Sequence, residues 1–400
     1  MTMAYRFTAG RCLMALSGLF LLFAGLLLPS GLWAEEVRVR NAAELREALS
    51  RPAVEVITLA NGHYGELSAP AGFGRPVTLR AERRHGAVFD AIKLEKVRGV
   101  GFRDIAVDGS LSIRGPSADV DIRGVQIKGT LYLRDIDRAV IHDNEVAGGK
   151  FGVILNSVRN FSLRHNTIRK ASEDLLRITG DSAFGLVEYN IILDTVAVRP
   201  THPDLIQFFG LEGSTPNNII VRRNLLSDPD IKDHVTAQGI FVSDPRSAAG
   251  FRNILIEENL IRTRSTNTIY INGGQRNVIV RRNTLMPSSG DGGAIIRLVG
   301  KAGLGNTGTL VEGNVAKILL DETKQSRIGR NFIYGRNAPL AQMFSGPSGG
   351  TRWEDFMPVL GSELDRSGMG ARVFLEELQA ERGKPPGQRR VYLGPSWALK

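Results

Sequence analysis

A seven-residue segment recurs along this chain. Asp174–Gly180 reads DLLRITG and Asp204–Gly210 reads DLIQFFG. The frame returns as Gln238–Asp244 (QGIFVSD), Asn267–Gly273 (NTIYING) and Ala294–Gly300 (AIIRLVG), with a degenerate earlier copy at Gly152–Val158 (GVILNSV). A unit that comes back every few tens of residues buries its apolar side only by stacking on copies of itself, so repetition constrains the fold before composition does. The third and fifth positions are large and apolar: Ile154, Leu176, Ile206, Ile240, Ile269 and Ile296, then Ile178, Phe208, Val242, Ile271 and Leu298. Strand alternation sends these inward and the fourth position outward. Stacked copies then expose a ladder of Arg177, Gln207, Phe241, Tyr270 and Arg297, the first place to look for function.

A second repeat starts at Val140: an apolar strand, one or two polar residues, an asparagine, and another strand. It reads VIHDNEV, FSLRHNTI, GLVEYNII, IIVRRNLL, ILIEENLI, VIVRRNTL, TLVEGNVA and, less cleanly, SRIGRNFI. Its asparagines are Asn144, Asn166, Asn190, Asn224, Asn259, Asn283, Asn314 and Asn331. The intervals 190–224, 224–259 and 283–314 are long and must carry inserted loops. Asparagine tolerates left-handed turn geometry, and stacked side-chain amides can bond from rung to rung, so this series reads as structural and not as a glycan site. Hydrophobic content of 42% with only 7% aromatics and 45 glycines suits short strands and tight turns, not helices.

Residues 1–34 read as a secretory signal: Arg6 and Arg11, an apolar run from Leu13 to Leu28, then a small-residue exit at Ala34. The run is short of the ~20 residues that span a bilayer, so no stable membrane insertion is expected after cleavage. The single cysteine, Cys12, precedes the run, which leaves the mature chain without disulfides or a thiolate-bound metal and suits a periplasmic or secreted protein. Of 51 basic and 41 acidic residues the signal removes Arg6 and Arg11, leaving a net charge of +8. No run of the nucleic-acid-binding type is present, and an anionic polymer is the expected partner.

Residues 35–53 read as an N-terminal cap, with a helix announced by Asn41 and, three residues on, Glu44, and striped by Ala42, Leu45, Ala48 and Leu49. A short strand at Val37–Val39 precedes that helix, and strands follow it at Val54–Leu59, Val77–Ala81, Val100–Val107, Val120–Ile127 and Leu131–Leu133. The repeat occupies 54–345, and 346–400 read as a closing segment and a charged tail with a short helix at Val373–Arg382.

The asparagine-marked rungs, the helical cap and the closing segment, with Gly361-Ser362 followed by Gly368-Met369-Gly370-Ala371, resemble the pectin-lyase-like superfamily. That resemblance implies an all-β, single-stranded right-handed parallel β-helix (solenoid) with an N-terminal capping helix, and a groove along one sheet commonly used on uronic-acid polysaccharides. The superfamily holds lyases, hydrolases, epimerases and adhesins, so it names no chemistry. Polygalacturonase signatures are absent, and His202-Pro203-Asp204 only permutes the Asp-Pro-His core of mannuronan epimerases. No catalytic residue is carried over from it.

The densest candidate cluster is Arg199, Pro200, Thr201, His202, Pro203, Asp204 and Gln207, where two prolines stiffen the approach to the strand. His202 is a candidate general base, and Arg177 and Arg297 can pair with substrate carboxylates. Phe241 and Tyr270 can stack on sugar faces, and Tyr270 can also donate a proton to a leaving oxygen. His234, Lys150 and Lys170 are further binding candidates. Asp174 and Asp204 fall on adjacent rungs, within about 5–6 Å if both face out, where they could hold a hard cation such as Ca²⁺, share a proton, or serve a glycoside hydrolase. Alternation points them inward instead, as turn-capping residues. Three functions stay open: β-elimination on a uronic-acid polysaccharide, hydrolysis by Asp174 and Asp204, and non-catalytic carbohydrate binding at a surface.

Overall fold

The computed structural model describes residues 35–211, 213–228, 235–243, 250–288, 292–301, 304–347 and 351–398. The signal expected at 1–34 lies outside the described residues, as do His234 and the last two residues. Among the described residues no helix is long and apolar enough to cross a membrane.

The chain opens with a strand, Glu35–Val39, and a helix, Ala42–Ser50, whose Asn41 cap accepts from the backbone N–H groups of Ala43 and Glu44. Leu45 and Ala48 are buried on the end of the solenoid, where an open first rung would expose apolar interior. Rung follows rung from there. Each passes through a first face, such as Leu176–Thr179, a second, such as Ala183–Glu188, and a third, such as Ile191–Leu193. In Leu111–Arg123, Leu131–His142 and Val153–Arg164 the first two faces run on as one long bent strand, which joins them into a 21-stranded sheet. The third face is a 12-stranded sheet. The strands of both pair in parallel, and the inward residues fill one continuous apolar core from Val39 to Ala316.

The corner between second and third faces explains the asparagines. A left-handed residue makes the bend, and it is the residue before the asparagine from Asn144 to Asn314: Asp143, His165, Tyr189, Arg223, Glu258 and Arg282 have φ between 52° and 58°, and Gly313 has φ 66°. The expectation that asparagine itself takes this conformation is therefore corrected. The same device cuts the strands expected at Val100–Val107 and Val120–Ile127, at Asp104 (φ 55°) and Gly124 (φ 66°). A left-handed non-glycine residue costs roughly 1–2 kcal/mol. The asparagine that follows offsets it. In every rung its Oδ1 accepts from the backbone N–H and the Nδ2 of the preceding asparagine, at 2.9–3.1 Å from Asn144 to Asn331. Each Nδ2 also donates to a backbone carbonyl, as Asn224 does to that of Val187 at 3.0 Å. The structural reading of the series holds.

The C-terminal region departs from its expectation. The helix expected at Val373–Arg382 is present as Arg372–Arg382, but it is docked and not part of a free tail: its Phe374, Leu375 and Leu378 pack with the corner residue Tyr189 and with Leu225, Leu260, Met286 and Val315, outward side chains of the third face. Those positions are apolar and need a cover. The chain then runs back along the solenoid until Trp397 Nε1 donates to the Asp143 carbonyl at 2.8 Å. His165 is held between the rings of Tyr189 and Tyr392, with centroids 5.1 and 4.0 Å away, and burial pushes its pKa down to about 4.

Candidate functional site

The first-face strands Leu176–Thr179, Asp204–Phe209, Gln238–Ser243, Ile269–Ile271 and Ile295–Leu298 stack with Leu176, Ile206, Ile240, Ile269 and Ile296 in register. All five are fully buried, and so are Ile178, Phe208, Val242, Ile271 and Leu298. The expected outward ladder follows: Arg177 pairs with Gln207, Gln207 with Phe241, Phe241 with Tyr270 and Tyr270 with Arg297. The degenerate copy is one residue out. Val153 and Leu155, not Ile154, face inward, and Ile154 pairs with Arg177 on the outward column. A one-residue slip exchanges the faces of every side chain in a strand, and GVILNSV is apolar enough on both faces to hide it.

At the first position of the frame a second column forms from Asp174, Asp204, Gln238 and Asn267. Asp204 pairs with Gln238, whose Oε1 accepts from Asn267 Nδ2 at 2.7 Å. Asp174 and Asp204 are both fully buried, as alternation required. They are treated unequally. Asp174 Oδ2 takes two bonds from Arg177, from Nε at 2.7 Å and from an Nη at 2.6 Å, and its Oδ1 accepts the Asp204 backbone N–H at 3.0 Å. Asp204 has only Gln207, whose Nε2 donates to Oδ2 at 2.8 Å, while its Oδ1 and the Gln207 Oε1 find no partner among the described residues. Burial pushes both carboxyls above the usual range, and Asp174 raises Asp204 further. Arg177 offsets this chiefly at Asp174, to which it is bonded. Of the two, Asp204 is the carboxyl pushed further above the usual range.

His202 stands over this carboxyl, its Nδ1 4.0 Å from Asp204 Oδ2 and two-thirds of its side chain exposed. The Gln238 carboxamide meets its Nε2, and its ring lies edge-on to Phe241 at 5.7 Å. Phe241 and Tyr270 stack at 4.6 Å with an 8° tilt, a flat double platform beside the histidine. Burial pushes the Tyr270 hydroxyl up, against the pull of Arg297. Arg177 is framed by Phe151 and Phe209, its guanidinium carbon 4.4 and 5.4 Å from the two ring centres.

The structure thus brings Asp174, Arg177, His202, Asp204, Gln207, Phe241 and Tyr270 into one patch. It holds Arg297 at the patch's edge in an exposed ion pair with Glu322 at 2.8 Å. Lys150 is paired with Glu173 at 3.2 Å, and Lys170 forms a left-handed corner (φ 59°) after Thr167–Arg169. The sequence reading missed Phe151 and Phe209 as the frame of Arg177, and Asn267 as the support of Gln238. The polar run at the first position of successive copies was the signal for the latter. The cation site expected at Asp174 and Asp204 does not fit what is seen. Ca²⁺ takes about 6–8 oxygens, whereas Asp174 is engaged by Arg177, and among the described residues no group of three or more His, Cys, Asp or Glu is placed to hold a metal ion.

The long rungs bring chain to this patch on both sides. Segments 194–203 and 263–268 lead into its strands, and 210–216 and 272–275 lead out. Loops carried on a rigid scaffold are where binding and catalysis concentrate.

Comparison with known proteins agrees with this architecture. The family model described as "right handed beta helix region" matches residues 109–314, more than half of the chain, and the protein belongs to that family. No curated protein sequence matches it. Among solved structures the Dettilon tailspike protein is similar with a TM-score of 0.52 at 14% identity, covering 77% of this chain and 63% of its own. This chain therefore spans less than two-thirds of that protein's length. The Azotobacter vinelandii mannuronan C-5 epimerase AlgE6 A-module gives 0.46 at 14% identity, covering 69% of this chain and 90% of the module. The Pseudopedobacter saltans polysaccharide lyase of family PL6 gives 0.38 at 14% identity, covering 84% of this chain and 99% of that one. At 14% identity the likeness to the tailspike speaks for the fold alone.

Proposed function

We propose that this protein cleaves an acidic, uronic-acid polysaccharide by β-elimination, with His202 as the base. The observation that carries the reading is the grouping on one patch of an accessible imidazole, a cation and a stacking platform, above the buried carboxyl of Asp204. Arg177 is held flat by two rings and faces the uronate carboxylate, which acidifies the adjacent C5–H. His202 takes that proton, the electron pair forms the C4–C5 double bond, and the C4–O bond breaks. Asp204 acts through His202, by orienting the imidazole that gains charge. Two rungs, about 9.6 Å, separate Tyr270 from the His202 rung. The leaving oxygen therefore takes its proton from water, and Tyr270 serves with Phe241 as the platform for a neighbouring sugar.

Hydrolysis by Asp174 and Asp204 has less support, because both carboxyls are buried and one is locked to Arg177. Such a pair must flank the scissile bond. The test is a set of polyuronates, alginate, pectate and glucuronans, followed by the ultraviolet absorbance of an unsaturated uronate. Absorbance that grows with the wild type and not with His202→Ala supports the reading. New reducing ends without absorbance point to hydrolysis, and binding without either product points to a non-catalytic role.

A further inference from the structure

The outward column of the first face does not end at Arg177. It continues toward the N-terminus through Ile154, Tyr132, Ser112, Lys93 and Ser68, each in register with the next. Five steps of about 4.8 Å make this a further ~24 Å of the same surface. Four of these residues, Tyr132, Ser112, Lys93 and Ser68, line a cavity of about 480 Å³ with Arg114 and Thr130. Its contents differ from those of the patch around His202. It has no histidine and no buried carboxyl pair, so the constellation around His202 is not repeated in it.

What it holds instead suits recognition. Tyr132 is half-buried, with the Arg114 guanidinium 5.6 Å from its ring centre. Lys93 is neutralised by Glu66 at 2.8 Å, whereas Arg114 has no ion pair among the described residues. The hydroxyls of Ser68 and Ser112 line the same wall, and Glu95, beside Arg114 in register, can accept from sugar hydroxyls. A ring to stack on, one unpaired guanidinium and several small hydroxyls are what a pyranose bearing one carboxylate requires.

We propose that this cavity is a remote subsite for the same acidic glycan. Tyr132 stacks on a sugar two rungs, about 9.6 Å, from Arg177, and Arg114 takes that sugar's carboxylate. The inference rests on the function proposed above for its choice of ligand. It adds that the protein grips long chains away from the reacting bond and so cuts within them.

The test is a length series of polyuronate oligosaccharides, measured for binding by calorimetry and for cleavage by absorbance, with wild type, Tyr132→Ala and Tyr132→Phe. Affinity of the wild type should rise with length up to the oligomer that reaches both patches. Tyr132→Ala should lose about tenfold on long chains and nothing on the shortest ligand, and Tyr132→Phe should behave as wild type, because the ring does the stacking. Equal losses at all lengths, or no loss at any, would overturn the proposal. Where no polyuronate is cleaved at all the elimination reading fails alone. The length-dependent loss of binding in Tyr132→Ala still decides the subsite.

Discussion

Two polar stacks run along this solenoid, one rung apart at every step, and they are finished differently. The asparagine stack from Asn144 to Asn331 lies at an inner corner, and from Asn166 on each Oδ1 takes two donors from the rung before. The groove-side stack of Asp174, Asp204, Gln238 and Asn267 is almost as well buried, but among the described residues Asp204 Oδ1 and Asn267 Oδ1 are left without donors, as is Gln207 Oε1 beside them. An unpaired buried acceptor costs about 1–3 kcal/mol, so a chain that keeps several together is holding them for something other than stability. The difference teaches that stacking alone does not tell scaffold from site. The inventory of donors does.

The sharpest way to break the comparison is at the residue poised over the unfinished stack. His202→Ala should lower the rate of elimination about a thousandfold, the ordinary worth of a positioned base, and leave the melting temperature unchanged, since the side chain is mostly exposed. Absorbance kinetics and a thermal melt check both halves. In the finished stack Asn224→Ala removes the acceptor of the Asn190 N–H at 3.0 Å and Nδ2 at 2.9 Å, leaving two buried donors. It should cost about 3 kcal/mol in denaturant unfolding, with the specific activity of the folded fraction kept.

Asp204→Asn comes next. It should reduce kcat/KM about 30-fold through the orientation of His202, and move the alkaline and acid limbs of the pH profile, which a packing defect alone would not do. Its stability has a sign. Burial raises the folded pKa of Asp204 above its unfolded value, so the carboxyl favours the fold at acid pH and that contribution is lost as pH rises past the ordinary aspartate range toward the folded value. The asparagine does not titrate. Asp204→Asn should therefore gain on the wild type between about pH 4 and pH 8, as read by melts at both. The smallest effect belongs to Arg297→Ala. Its ion pair with Glu322 is exposed on both sides, and removing it should change stability by less than ~0.5 kcal/mol.

Much of the scaffold was legible because its signals are strictly periodic. Apolar third and fifth positions placed Leu176 and Ile178 inside and Arg177 outside, and the spacing of Asn41 and Glu44 marked the cap. Where both faces of a strand are apolar, as around Ile154, the period says nothing and the register was read one residue off. The docking of the C-terminal helix was hidden for a similar reason. Phe374, Leu375 and Leu378 announce an apolar stripe, but the surface that receives it is spread one or two residues at a time over strands as short as Leu225–Ser227 and Val315–Ala316. In the site, alternation foretold that Asp174 and Asp204 face inward. That only one of them is neutralised depends on where Arg177 swings, and no spacing in the chain records it.

The most direct measurement is the denaturant midpoint of Asp204→Asn beside that of Asn224→Ala, both at about pH 8. If the groove-side stack is an unfinished one kept for chemistry, Asn224→Ala falls well below the wild type and Asp204→Asn stands at or above it. If Asp204→Asn falls as far as Asn224→Ala, the two stacks are alike in purpose, and Asp204 is scaffold.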